Sequence, residues 1–93
     1  MPDDKDAPRY VTSVAVRLAG VAAHTLRAYE KAGLLRPIRT RGGIRLYSQE
    51  QVEMAHKIQA YTQQGVNLAG ITVLLEMEAQ RLDEGKPSGG ELK

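Results

Sequence analysis

With 93 residues the chain has room for one compact domain, and a domain of that size has a modest core and no space for a roomy buried active site. There is no cysteine, which excludes a disulfide framework, a thiolate nucleophile, a cysteine-ligated metal and thiol-based redox sensing. The formal net charge is only +2, but residues 22–47 carry six cations (Arg27, Lys31, Arg36, Arg39, Arg41, Arg45) against one anion, Glu30, a local balance of +5 that leaves −3 for everything else.

A basic stripe of this kind suits a polyanionic partner, because each cation set against a phosphate releases condensed counterions. A solvated surface is the other reading of the same charges. No apolar run approaches the ~20 residues that a membrane-spanning helix needs. Asp3, Asp4 and Asp6 near the start are unlike a secretory signal, so a cytoplasmic protein with no membrane partner is expected.

Residues 1–9 are polar and charged and include Pro2 and Pro8, which reads as a flexible N-terminal tail. Thr12 or Ser13 can cap a short helix whose narrow apolar stripe is Val14, Leu18 and Ala15, ending at Gly20. A second periodic segment follows, with Leu26 and Tyr29 sharing a face with Ala22 while His24, Arg27 and Lys31 point elsewhere, and Gly33 closes it. Two short helices about a glycine-containing turn are the helix-turn-helix arrangement, although any small helical domain can offer such a pair.

Pro37 forbids further helix, and Ile38 to Tyr47 reads as two short strands about Gly42 and Gly43, which can take the positive φ of a tight turn. Arg39, Arg41 and Arg45 then sit on or beside the tip of a hairpin wing, suited to a phosphate backbone; a hairpin that completes the core with solvated arginines is the alternative. Ser48 with Gln51 three residues on is a capping box opening a long helix that turns Val52, Ala55 and Ile58 inward and stops near Gly65. Asn67 is a natural cap for a fourth helix with Leu68, Ile71, Leu74 and Leu75 on one face, extended by Met77 or Leu82. Residues 83–93, with Gly85, Pro87, Ser88, Gly89 and Gly90, read as a flexible tail.

The expected fold is therefore mainly α: a winged helix-turn-helix of four helices with a short β-hairpin wing, spanning 10–82. Several ordered elements within it resemble the MerR family of winged helix-turn-helix regulators. They are Tyr10-Val11, Leu18 to Val21, Thr25-Leu26-Arg27 with Tyr29-Glu30, Gly33 to Pro37, Gly43 to Ser48 and Gly65 to Leu68. Ser13-Val14-Ala15, Arg39-Thr40 before Gly42-Gly43, and Gly65 to Ile71 are similar to the repressors of heat-shock chaperone genes.

The resemblance implies sequence-specific binding of double-stranded operator DNA, with the second helix in the major groove, the wing on the backbone, and two copies reading an inverted repeat. It places Thr25, Arg27 and Tyr29, with Arg45 and Tyr47 of the wing, at the DNA interface. Arg27 would offer a guanidinium fork to a guanine edge or phosphate, and the hydroxyls would bond phosphate oxygens. His24, Lys31, Arg39 and Arg41 complete the candidate set. His24 either touches a base, making binding mildly pH-dependent, or is a solvent-exposed histidine. Tyr10 is better read as a core anchor than as a phosphate contact. Ala28 and Ala22 depart from the family's usual aromatic and its usual Ser or Thr cap, which leaves base preference and local helix stability open.

For the heat-shock subfamily the resemblance further implies the DnaK chaperone as co-repressor. The family's long antiparallel dimerisation helix is nearly missing or truncated here. The chain is thus either a DNA-binding fragment of a longer regulator or a short protein that self-associates through the fourth helix into a homodimer on DNA. No cofactor is expected, and His24 and His56 alone cannot supply the metal sites of other family members. An enzyme lacks its constellation: Ser13 and Ser48 read as caps, the histidines lie on separate helices, and no carboxylate pair adjoins a plausible pocket. Two other readings remain, an excisionase-like DNA-bending factor and a winged-helix protein-interaction module using the face of Leu68, Ile71, Leu74 and Leu75.

Overall fold

In the order of the chain, the computed structural model, which describes residues 4–85, builds β1 (Tyr10–Val11), α1 (Thr12–Ala19), α2 (Ala23–Lys31), β2 (Ile38–Arg39), β3 (Arg45–Tyr47), α3 (Gln49–Gln63) and α4 (Leu68–Gly85). The four helices expected from the sequence are present. The wing differs from a lone hairpin, because Tyr10 and Val11 pair antiparallel with Tyr47 and Leu46 and extend the sheet to the order β1-β3-β2. A two-residue strand whose partner lies 37 positions away carries no local periodicity to announce it.

The helix ends follow local chemistry. Gly20 adopts φ 75°, and its N–H donates to the Val16 carbonyl, which closes α1 in the left-handed conformation that costs glycine nothing. Ser48 and Gln51 form the full capping box at the start of α3, the Ser48 hydroxyl accepting from the Gln51 N–H at 3.1 Å while the Gln51 side chain accepts from the Ser48 N–H at 3.2 Å. The Asn67 side chain accepts from the Gly70 N–H at 2.8 Å and so caps α4. The start of α1 departs from expectation. Its N-cap is Val11 and no side chain caps it, so neither Thr12 nor Ser13 serves.

The core is centred on α1, which packs against α2, α3 and the strands β1 and β3, with α4 laid on α3: Ala15, Ala19, Val21, Leu26, Tyr29, Leu35, Tyr47, Val52, Ala55, Ile58 and Ile71 are buried. The expected inward residues of α3 and the pair Leu26 and Tyr29 of α2 are among them. On α1 the expected stripe of Val14, Leu18 and Ala15 holds only at Ala15. Val14 and Leu18 are exposed, and Ala15 and Ala19, one turn apart, are the buried pair. Methyl-sized side chains let α1 approach α3 closely, and His56 of α3 sets its Nδ1 3.2 Å from the Ala19 carbonyl at the end of α1.

On α4, Ile71 is fully buried while Leu68, Leu74 and Leu75 are half-buried; Val73 and Met77 are exposed. The Glu78 carboxylate accepts from both the Lys57 ammonium and the Tyr61 hydroxyl of α3 and ties the two helices. The backbone of α4 continues to Gly85, three residues past the boundary read from the sequence. Residues 1–3, a third of the expected N-terminal tail, and 86–93, most of the expected C-terminal one, lie outside the described part. Between Asp4 and Arg9 the chain is bonded to the body, the Glu50 N–H donating to the Lys5 carbonyl at 2.9 Å and the Arg9 N–H to the Tyr47 carbonyl at 3.0 Å.

Candidate nucleic-acid interface

Burying Leu26 and Tyr29 rotates α2 so that His24, Arg27, Ala28 and Lys31, at helical spacing, form its exposed face. Thr25 is half-buried at the edge of that face. Gly20, Val21 and an extended Ala22 make the turn before it, and Ala22 caps α2 without a side-chain bond.

The wing tip is closed by the Gly43 N–H donating to the Thr40 carbonyl at 2.9 Å and the Thr40 N–H donating to the Ile44 carbonyl at 2.8 Å. Gly43 alone takes the positive φ, 85°; Gly42 does not. This is a three-residue hairpin loop with glycine at its left-handed position, and it leaves Arg41 exposed at the tip.

Helix and wing are joined by Glu30. Its Oε1 accepts from Arg45 Nε at 2.8 Å and its Oε2 lies 3.5 Å from Arg39 Nη2, so one carboxylate of α2 reaches a residue of each wing strand. Arg39 and Arg45 are cross-strand partners, which puts their side chains on the same face of the sheet. Arg27, Glu30, Lys31 and Arg45 line one shallow recess between α2 and the wing.

The structure thus brings His24, Thr25, Arg27 and Lys31 together on α2, beside Arg39, Arg41 and Arg45 of the wing. It does not bring Tyr29 and Tyr47 to that surface. Tyr29 is 3% exposed, its hydroxyl donates to Gln59 Oε1 at 3.1 Å, and burial raises its phenol above the ordinary tyrosine value. Tyr47 is 1% exposed, with a buried hydroxyl that has no hydrogen-bond partner among the described residues. Both are corrected to core residues, because each side chain is almost completely removed from solvent within the hydrophobic cluster. Tyr10 is the anchor expected, its hydroxyl donating to Gln49 Oε1 at 3.0 Å. Glu30 was missed as a site residue. The signal available was its position as the lone anion among six cations.

A helix-turn-helix whose second helix shares an exposed cationic face with a β-hairpin is a winged helix-turn-helix. The family model described as MerR HTH family regulatory protein matches residues 10–78, and the chain belongs to the MerR family. It is 44% identical over 77 residues to the putative heat shock protein HspR of Streptomyces coelicolor, covering 82% of this chain and 51% of HspR. It is 32% identical over 84 residues to the HTH-type transcriptional regulator GlnR of Bacillus anthracis, covering 90% of this chain and 65% of GlnR. Among solved structures it matches HiNmlR, a MerR family regulator lacking the sensor domain and bound to promoter DNA, with a TM-score of 0.68 and 30% sequence identity over 75% of this chain and 54% of that one.

The chain spans between half and two thirds of the length of these proteins. Fold and relatives are those of transcriptional regulators, not of enzymes. No described helix is long and apolar enough to cross a membrane, and no described group of three His, Cys, Asp or Glu residues could hold a metal.

Proposed function

We propose that this chain binds operator DNA sequence-specifically as a repressor of heat-shock chaperone genes, with residues 10–82 as the DNA-binding unit. In this reading α2 lies in the major groove and the wing lies on the adjacent backbone. The observation that carries the reading is the continuous exposed face of His24, Arg27 and Lys31 on α2 beside Arg41 at the wing tip. A neighbour of the same fold is bound to promoter DNA, and the 44% identity to HspR favours the heat-shock branch.

Arg27 and Lys31 stand where a helix laid in the groove meets base edges and flanking phosphates, while Arg41 grips the backbone. His24 and Thr25 add polar groups at the start of α2, where a recognition helix comes nearest the bases. Two copies would read an inverted repeat. The exposed Val73 and Met77, one turn apart on α4, give a second copy an apolar stripe to pack against. A DnaK-type chaperone as co-repressor, and a cytoplasmic setting, accompany the heat-shock assignment.

The test is titration of labelled duplexes at fixed salt, one carrying the inverted repeat of a chaperone operator and one scrambled. The operator is expected to bind tighter by at least about a thousandfold. Equal affinity for the two duplexes would overturn the reading.

A further inference from the structure

We infer that Glu30 is a specificity-determining positioning residue, which locks the wing to α2 through Arg45 and Arg39, and that Arg45 therefore serves as the tie and not as a phosphate ligand. The inference rests on the DNA-binding reading above and concerns how that surface discriminates between sequences.

The strands of the wing span only Ile38–Arg39 and Arg45–Tyr47. A hairpin this short is marginal by itself, so its orientation has to come from tertiary contacts. Pairing of β2 with β3 fixes the strands to one another and pairing of β3 with β1 ties them to the strand that leads into α1, but among the described residues every hydrogen bond and ion pair between α2 and the wing runs through Glu30. The Glu30 and Arg45 side chains are each 22% exposed, whereas Arg39 is 54% exposed. The Arg45 leg is therefore the less screened and the more directional of the two, with a 2.8 Å charge-assisted hydrogen bond at Nε.

The charge pattern points the same way. A surface meant only to attract phosphate gains from removing its single anion, since each uncompensated cation adds counterion release whatever the sequence. Glu30 weakens that indiscriminate attraction and in return fixes the distance between the base-reading face of Arg27 and the backbone grip of Arg41. Reading a base edge requires geometry, and phosphate attraction does not.

The experiment uses a duplex that the unaltered chain selects from a random pool, and its scrambled counterpart, each titrated over a salt series with Glu30→Gln, Arg45→Gln and the double variant. Glu30→Gln is expected to lose about tenfold in the selected-to-scrambled affinity ratio. It should also steepen the plot of log affinity against log salt by about one, as the released Arg45 finds a phosphate. Arg45→Gln should lose the same ratio with the slope unchanged, and the double variant should discriminate no worse than either single one.

An unchanged ratio in a folded Glu30→Gln protein overturns the inference. So does a slope flattened by about one in Arg45→Gln, which would make Arg45 a phosphate ligand. If circular dichroism shows Glu30→Gln unfolded, Glu30→Asp decides instead: it keeps the charge and shortens the reach by one methylene, and undiminished discrimination there rejects the tie. An unaltered protein that prefers no sequence at all overturns the DNA-binding reading, and the inference with it. A protein that discriminates while its Glu30 variants do so equally well overturns only the inference.

Discussion

The body formed by α1, α3 and α4 and the face formed by α2 and the wing are held by different forces. In the body, Ala55, Ile58 and Ile71 are completely removed from solvent, and the interactions are short-ranged and insensitive to salt. On the face, exposed cations surround a single carboxylate, and the organising contacts are ionic and partly hydrated. The comparison teaches a separation of roles: the body sets whether the domain is folded, and the face sets what it distinguishes. Glu30 stands at the boundary, on a helix whose other side, Leu26 and Tyr29, belongs to the body.

The largest expected effect tests the body. Ile71→Ala removes a fully buried side chain that fastens α4 to the core and should cost about 2–5 kcal/mol, a large share of the stability of a domain this small. Thermal unfolding followed by circular dichroism would show the midpoint falling by roughly 4–8 °C for each kcal/mol. A change no larger than that of an exposed substitution would mean that α4 is not part of the cooperative unit.

The next effect divides the face itself. Arg27→Ala should lower discrimination between operator and scrambled DNA by about 1–3 kcal/mol of binding free energy, whereas Arg41→Ala should weaken binding to both alike and flatten the salt slope by about one. Both should unfold at nearly the temperature of the unaltered protein. If the two variants lost discrimination equally, the division between base reading and backbone grip would be wrong.

The smallest effect concerns the ionic contact that joins α3 to α4. Hydrogen bonds from Lys57 and then from Tyr61 hold the Glu78 carboxyl below its ordinary value of 4.5, while the same contact with Glu78 raises the Tyr61 phenol. Because the folded value lies below the unfolded one, this contact contributes fully above the ordinary carboxylate range and is lost as the pH falls through the depressed value. The unaltered protein should therefore unfold at a higher temperature than Glu78→Gln near neutral pH, with the gap closing in acid. A gap that stayed constant between pH 7 and about 3 would remove Glu78 from the account.

Three helix boundaries were legible because they rest on bonds between near neighbours: the capping box of Ser48 and Gln51, the Asn67 cap and the left-handed Gly20 need only three or four residues to be recognised. The buried faces of α2 and α3 were legible for a related reason, since their large apolar residues repeat at helical spacing. The face of α1 was legible only at Ala15. Hydropathy favours Val14 and Leu18, but the close approach to α3 selects the small Ala15 and Ala19, and closeness is a property of two helices together. The candidate cations were visible as a cluster, while the tyrosines were misplaced, because a tyrosine's hydroxyl suits a phosphate and its ring suits a core equally well.

By itself, then, the amino-acid sequence determined the order of the helices, the ends marked by Gly20, Ser48 and Asn67, the wing and the concentration of positive charge between residues 22 and 47, since each depends on local propensity or on composition. The tertiary structure alone decided the third strand at Tyr10 and Val11, the burial of Tyr47, and the convergence of Arg39 and Arg45 on Glu30. These pairings join residues that the chain separates by as many as 37 positions, and only packing against a common core brings them within bonding distance.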